Sequence, residues 1–211
     1  MKCKKVKELQ LLMRKINEIF HSIQGEGCRA GVPSVFIRFS GCNLKCGFCD
    51  TKHQDGKMFS DDEIIKEVLK YPSSQIVLTG GEPSLFIDED FINKLKTETG
   101  LPIAIETNGT KILPAGIDWI TVSPKIDMSK IGDSTVRITK ADEIKVVDIG
   151  QNLESYFSLP CVTKETIMLL QPCYVEDEIE REKNTRRTIQ RVISDPRWRL
   201  SLQTHRMLGL K

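Results

Sequence analysis

Short runs of apolar and β-branched residues recur along the chain, separated by stretches in which apolar residues return every three or four positions. The first pattern predicts strands and the second amphipathic helices. Strands are expected at 16–23, 35–39, 75–79, 102–106, 119–122, 143–147, 166–170 and 199–203. A helix is expected after Ser60, where Ser60 and Glu63 form an S-x-x-E capping box ahead of Ile64, Ile65, Val68 and Leu69. Two more are expected at 88–98 and 175–194, the latter carrying the charged EDEIEREKNTRR on a solvated face. Alternation of this kind is the pattern of an α/β fold with parallel strands joined by crossing helices. A chain of 211 residues suits one well-buried domain.

Charge narrows the possible partners. Thirty-one basic against 29 acidic residues leave a formal charge of +2, too small a footprint for nucleic-acid binding. The start, MKCKKVKELQLLMRK, lacks the continuous apolar stretch and small-residue cleavage site of a targeting peptide. It reads as a basic extension, 1–15, ahead of a single domain at 16–211. No apolar run approaches the roughly 20 residues of a membrane span. Seven cysteines, an odd number with three crowded together, make a disulfide framework implausible and point to a reducing cytoplasm. Cys3, Cys28, Cys161 and Cys173 stand alone and read as inert thiols, although Cys28 and Cys173 lie beside motifs assigned to the site.

Cys42, Cys46 and Cys49 stand in GCNLKCGFCDT with spacing C-x3-C-x2-C. A 4Fe-4S cluster takes four thiolates, so three on one loop leave one iron open to a ligand that is not protein. Structural zinc sites usually draw four ligands from two separated pairs. His53 would have to complete such a site here, and the spacing suits a cluster better. In parallel α/β folds, ligands gather at the carboxyl ends of the strands. The cysteine loop follows VFIRF, GGEP follows IVLT, ETNG follows IAI, SPK follows ITV and LQP follows TIML. That convergence reads as one pocket.

The cysteine loop, Phe48 before its last cysteine and the GGEP ending at Pro83 resemble the radical S-adenosylmethionine superfamily. FHSIQGEG, Arg38 in VFIRFSGCN, CDT, ETNG, TVSPK, LLQP and WRLSLQTH narrow the resemblance to the 7-carboxy-7-deazaguanine synthases, over nearly everything from Ile16 onward. The resemblance implies an incomplete β/α barrel, and the chain is shorter than the roughly 250 residues of a complete one. It also implies a radical ring contraction of 6-carboxytetrahydropterin to 7-carboxy-7-deazaguanine with loss of ammonia. Expected cofactors are a 4Fe-4S cluster on Cys42, Cys46 and Cys49, S-adenosylmethionine, and Mg2+ at Thr51. Expected partners are a low-potential electron donor such as flavodoxin or ferredoxin and a second copy of the chain.

The resemblance assigns Phe48 and Asp50 to the cofactor, with Gly80 and Gly81 approaching its methionyl end and Glu82 receiving its ammonium. Ser123, Pro124 and Lys125 approach from another strand end. Gln171, Pro172, Cys173 and Tyr174 close the adenosine side, and Glu106 reaches the ribose, although an acid there equally suits an ion pair. Ile23, Gln24, Gly25 and Glu26 meet the pterin edge, joined by Thr79, Gln203 and His205. Arg38 suits the substrate carboxylate because its planar fork gives two parallel bonds; a purely structural Arg38 requires an acid partner. Family members often end in LGLP where the last residue reaches substrate, and Lys211 stands at that position here. Two other readings remain: a glycyl-radical activating enzyme, which has no need of Arg38 and IQGEG, and a non-enzymatic iron–sulfur or zinc module.

Overall fold

A computed structural model describes residues 13–49, 51, 53–126, 128 and 131–211. Its strands are β1 (Met13–Ile23), β2 (Pro33–Phe39), β3 (Lys57–Ser60), β4 (Gln75–Gly80), β5 (Ile103–Thr107), β6 (Trp119–Val122), β7 (Glu143–Asp148), β8 (Ile167–Pro172) and β9 (Arg199–Leu200). They form one sheet in the order β3-β1-β2-β4-β5-β6-β7-β8-β9. From β2 to β9 every pairing is parallel. Among the described residues the α-helices are α1 (Asp61–Val68), α2 (Glu89–Thr99), α3 (Glu178–Ser194) and α4 (Thr204–Met207).

Local chemistry sets the helix ends. Ser60 Oγ accepts the Glu63 N–H while the Glu63 carboxylate accepts the Ser60 N–H at 2.7 Å, so the capping box is present. Asp88 caps α2 through the Phe91 N–H at 2.9 Å, and Asp177 caps α3 through the Glu180 N–H at 2.8 Å. Arg14, buried on β1, pairs with Asp61 at 2.7 Å and Asp88 at 3.1 Å and lies 4.1 Å over the Phe91 ring. It ties the first strand to the starts of α1 and α2.

Four expectations are corrected. β1 begins at Met13, not at residue 16, and runs antiparallel to β2; residues 24–32 are too few for the crossover of about a dozen or more that a parallel pair needs. β3 is a short edge strand beside Met13–Ile16 whose own residues are largely exposed, so its sequence carries little apolar signal. The run predicted at 199–203 is strand only at Arg199–Leu200, and the chain then turns into α4. Among the described residues no α-helix joins β5 to β6 or β6 to β7, and a 3-10 turn at Glu154–Ser158 lies between β7 and β8. Residues 1–12 of the expected basic extension lie outside the described residues, and its last three belong to β1.

The sheet has two chemically different faces because strand side chains alternate. Val35, Ile37, Phe39, Ile76, Leu78, Ile103, Ile105, Ile144 and Val146 pack into the main core with Ile64, Ile65 and Val68 of α1 and Phe91, Ile92 and Leu95 of α2. The opposite row carries Phe36 and Arg38, Thr79, Glu106, Lys145 and Gln171, which face a cavity. Among the described residues, no helix is long and apolar enough to cross a membrane.

Candidate active site

A cavity of about 990 Å³ occupies the concave side of the sheet. Its rim is the loop after β2, which carries Cys42, Cys46, Phe48, Cys49 and Thr51. That loop is held by close backbone contact with the end of β4. Gly81 N–H donates to Phe39 O at 3.2 Å and Glu82 N–H to Gly41 O at 2.9 Å. A Cβ on Gly80 would sit 2.2 Å from Phe39 O, and one on Gly81 would sit 2.1 Å from Gly41 O. Both are steric overlaps that only glycine avoids.

The three thiols share one wall. Burial pushes the Cys42 thiol up, and the negative groups Glu82, Cys46 and Cys49 add to the effect. Lys125 answers from the end of β6, where its ammonium bonds Ser123 O at 2.8 Å; burial lowers its pKa, and Cys46, Glu82 and Cys49 work against that. Among the described residues no three His, Cys, Asp or Glu side chains converge on one point. As a donor set, three soft thiolates with a cation beside them fit an iron–sulfur cluster held by three cysteines.

The floor comes from the other end of the sheet. Because β1 is antiparallel, the segment after it enters beneath the parallel strands and crosses to β7 and β9. Cys28 N–H donates to Glu143 at 2.9 Å and Gly27 N–H to Ser201 Oγ at 3.1 Å, while Ser201 Oγ donates to Gln171 at 2.8 Å. Gln24 and Glu26 thereby enter the cavity. Lys145 of β7 makes ion pairs with Glu26 and, at 2.7 Å, with Glu106 of β5. Gln203 donates to Glu26 at 2.8 Å and Gln24 to Glu106 at 3.2 Å. Burial works to raise Glu26, and Lys145 overwhelms it, holding the carboxyl well below its usual range. Burial raises Glu106 above its ordinary value, with Lys145 pulling against it and Glu26 adding to it.

The open side of the sheet is covered by the segment after β9. Thr204 N–H donates to Gly25 O at 2.9 Å, and Ser22 Oγ donates to Lys211 O at 2.9 Å. A Cβ on Gly25 would lie 2.1 Å from His205 Nδ1, so glycine is required for this closure. Arg38 and Thr79 are register partners on β2 and β4. Arg38 Nε donates to Glu18 at 2.8 Å, and the Lys211 ammonium pairs with the same carboxylate. Partial burial works to raise Glu18, and Lys211 and Arg38 outweigh it, holding the carboxyl low. Arg38 Nη1 and Nη2 bond no described residue, so the fork expected from the sequence is available although Arg38 has an acid partner.

All the residues expected at the pterin, Ile23 to Glu26, Arg38, Thr79, Gln203, His205 and Lys211, line the cavity. So do Phe48, Gly80, Gly81, Glu106, Ser123, Lys125, Gln171, Pro172, Cys173 and Tyr174. Glu82 does not. It is fully buried and accepts from Ser84 N at 3.0 Å, Thr107 Oγ1 at 2.7 Å and Asn108 N at 2.7 Å; its oxygens join β4 to β5 and are not open to an ammonium. Pro124 is buried outside the lining. Glu106 stands with the floor cluster as an ion-pair partner. Asp50 lies outside the described residues. Cys28 lies outside the lining against Glu143, its thiol pushed up to about 11 by burial first and by that carboxylate. Cys161 is buried in the core. Lys145, Glu18 and Phe20 line the cavity and were not singled out from the sequence. The signal for Lys145 was the one that marked Arg38: an ionic residue inside an apolar strand.

A model of the radical SAM superfamily matches residues 36–156. The 7-carboxy-7-deazaguanine synthase of Bacteroides thetaiotaomicron is 52% identical over 95% of this chain and 100% of its own length. The 7-carboxy-7-deazaguanine synthase of Haemophilus influenzae is 37% identical over 93% of both chains. The crystal structure of QueE from Escherichia coli superposes with a TM-score of 0.73 at 28% identity, covering 91% of this chain and 94% of that one.

Proposed function

The chain belongs to the radical SAM superfamily and, within it, to the 7-carboxy-7-deazaguanine synthase family, and from that premise we propose that its cavity converts 6-carboxy-5,6,7,8-tetrahydropterin to 7-carboxy-7-deazaguanine with loss of ammonia. The observation that carries this reading is one cavity with three chemically distinct parts: a three-cysteine rim, a forked cation on the wall and a carboxylate-lined floor. Membership brings an iron–sulfur- and S-adenosylmethionine-dependent reaction. When bound, a 4Fe-4S cluster and S-adenosylmethionine together supply one-electron, hydrogen-abstracting chemistry.

The protein's own residues bind and orient. Cys42, Cys46 and Cys49 are the thiolates for the cluster, and Gly80 and Gly81 keep the β4 end against their loop. Arg38, with Nε held by Glu18, offers its Nη pair to the substrate carboxylate. Glu26 and Glu106 accept N–H groups from the aminopyrimidinone edge. The closing segment, with Gln203, His205 and Lys211, excludes water. Thr51, beside Cys49 on the rim, is the proposed oxygen ligand for Mg2+, an ion that keeps several waters and takes carboxylate oxygens from substrate. A flavodoxin- or ferredoxin-type reductant and a homodimer complete the proposal, supported by family membership.

The test is anaerobic reconstitution with iron and sulfide, followed by S-adenosylmethionine, a reductant, Mg2+ and the tetrahydropterin. Appearance of the deazapurine with release of ammonia supports the reading. Consumption of S-adenosylmethionine with no deazapurine overturns it. Magnesium should raise turnover in the wild type and do so far less in Thr51→Ala, with cluster content equal; identical activation curves remove Thr51 from the site.

A further inference from the structure

Lys145 is nearly sealed, its side chain 5% exposed, whereas the two carboxylates it joins keep 17% and 18% of their side-chain surface. All three line the cavity, and the two carboxylate side chains are the more open part of the cluster. An ionised carboxylate accepts and cannot donate, and its two oxygens offer about four acceptor positions. Glu26 uses its oxygens on Lys145 and Gln203, and Glu106 on Lys145 and Gln24, one partner per oxygen. Each oxygen retains acceptor capacity toward the cavity.

Two carboxylates this close in a buried site do not both ionise without a cation between them, because like charges in low dielectric drive one to take a proton. We propose that Lys145 is a specificity-determining positioning residue: its ammonium, set between Glu26 and Glu106, keeps both carboxylates as hydrogen-bond acceptors toward the cavity. Such a floor selects a ring edge with adjacent N–H donors, an amino group beside a ring N–H. It rejects an edge with a carbonyl in place of the amino group. This deepens the functional reading given above and rests on it.

Other charges face the cluster. Glu143, at the start of β7, raises Glu106, and His205 of α4 lowers Glu26; Lys125 at the end of β6 feels the Lys145 charge. Take Lys145 away, and burial and Glu26 both push Glu106 upward with nothing of equal strength opposing them. A proton taken up by either carboxyl then displays an O–H where an acceptor is needed.

The experiment measures binding of the tetrahydropterin, and of its analogue with a 2-oxo group in place of the 2-amino group, to reconstituted holoenzyme across pH 6 to 9. Wild type should prefer the amino compound by about a hundredfold or more, since a site built for a donor strongly rejects a ligand lacking it. Lys145→Met should weaken amino-compound binding about ten- to a hundredfold at pH 7, recover affinity as pH rises, and lose most of the preference. Lys145→Arg keeps the charge and should restore both preference and flat pH response. If Lys145→Met fails to fold, Glu106→Gln replaces one acceptor by an amide and should show the same loss of preference without the pH recovery. A Lys145→Met protein equally weakened at every pH with its preference intact overturns the inference, as does a Glu106→Gln protein that keeps the preference. Failure of wild type to bind the tetrahydropterin instead overturns the functional reading.

Discussion

Of the buried charges on strand β7, Lys145 and Asp148 stand three residues apart on opposite faces and are used differently. Lys145 points into the cavity and holds two carboxylates that remain in contact with it. Asp148 points the other way, toward α3, with a side-chain exposure of 0%. It accepts from Gly150 N at 2.9 Å, Thr188 Oγ1 at 2.8 Å, Arg187 Nε at 3.5 Å and Arg191. Its four acceptor positions are taken up within the fold, and Glu82 at the end of β4 is likewise fully buried with three donors on it. The lesson is that burial alone does not distinguish function from structure. What distinguishes them is whether the charged cluster retains unfilled hydrogen-bonding capacity toward a cavity.

The sharpest way to separate the two faces is to remove a group from each. Cys42→Ala should abolish iron loading and S-adenosylmethionine cleavage completely while leaving the unfolding curve of the unreconstituted protein close to wild type. A variant that still loads a full cluster would show that the rim does not hold it.

Asp148→Ala should do the reverse. Stranding Arg187 and Arg191 against a buried gap should cost about 3–5 kcal/mol of stability, read by denaturant unfolding, with substrate affinity of the folded fraction unchanged. Burial works to raise the Asp148 carboxyl, and the Gly150 N–H, Thr188 and both arginines outweigh it, so its folded pKa is depressed. Its stabilisation is therefore complete above the unfolded value of about 3.9 and is lost as pH falls toward the lower folded value. The wild-type stability curve should fall there more steeply than that of Asp148→Ala. Parallel curves would break the comparison.

Arg38→Ala tests the cavity wall. Losing charge-assisted bonds of about 1.5–3 kcal/mol each should weaken substrate binding by about ten- to a hundredfold, while uncoupled S-adenosylmethionine cleavage continues. Equal loss of cluster content would place Arg38 among the structural charges.

Glu82→Gln gives the smallest effect. Its amide cannot accept from Ser84, Thr107 and Asn108 together, and stability should fall by about 1–3 kcal/mol. S-adenosylmethionine affinity should hardly change. A tenfold drop in that affinity at unchanged stability would return Glu82 to the cofactor.

Much of this was legible along the chain because the relevant signals are local. The Ser60–Glu63 box and the apolar spacing of α1 and α2 act within a few residues, and α1, α2 and α3 appear where helices are expected. Arg38 announced itself as an ion inside an apolar strand. Lys145 carried the same mark in EIKVV, but a single strand does not reveal which ions will meet. At Glu82 the GGEP motif is local, whereas two of the three donors on its carboxylate, Thr107 and Asn108, come from the end of β5 and the residue after it.

By itself, then, the sequence determined the element types, the cysteine rim, the family and the inward positions of the strands, since capping, alternation and ligand spacing are short-range properties of the chain. Only the tertiary structure decided the direction of β1, the passage of Gln24 to Glu26 beneath the sheet and the closure by the segment after β9. It also decided which buried charges face the cavity and which are enclosed by the fold. Those outcomes depend on groups brought together from Glu26, Glu106 and Lys145, or from Asp148 and Arg191. The energy of a buried charge is set by the neighbours that packing places around it, not by its neighbours in the chain.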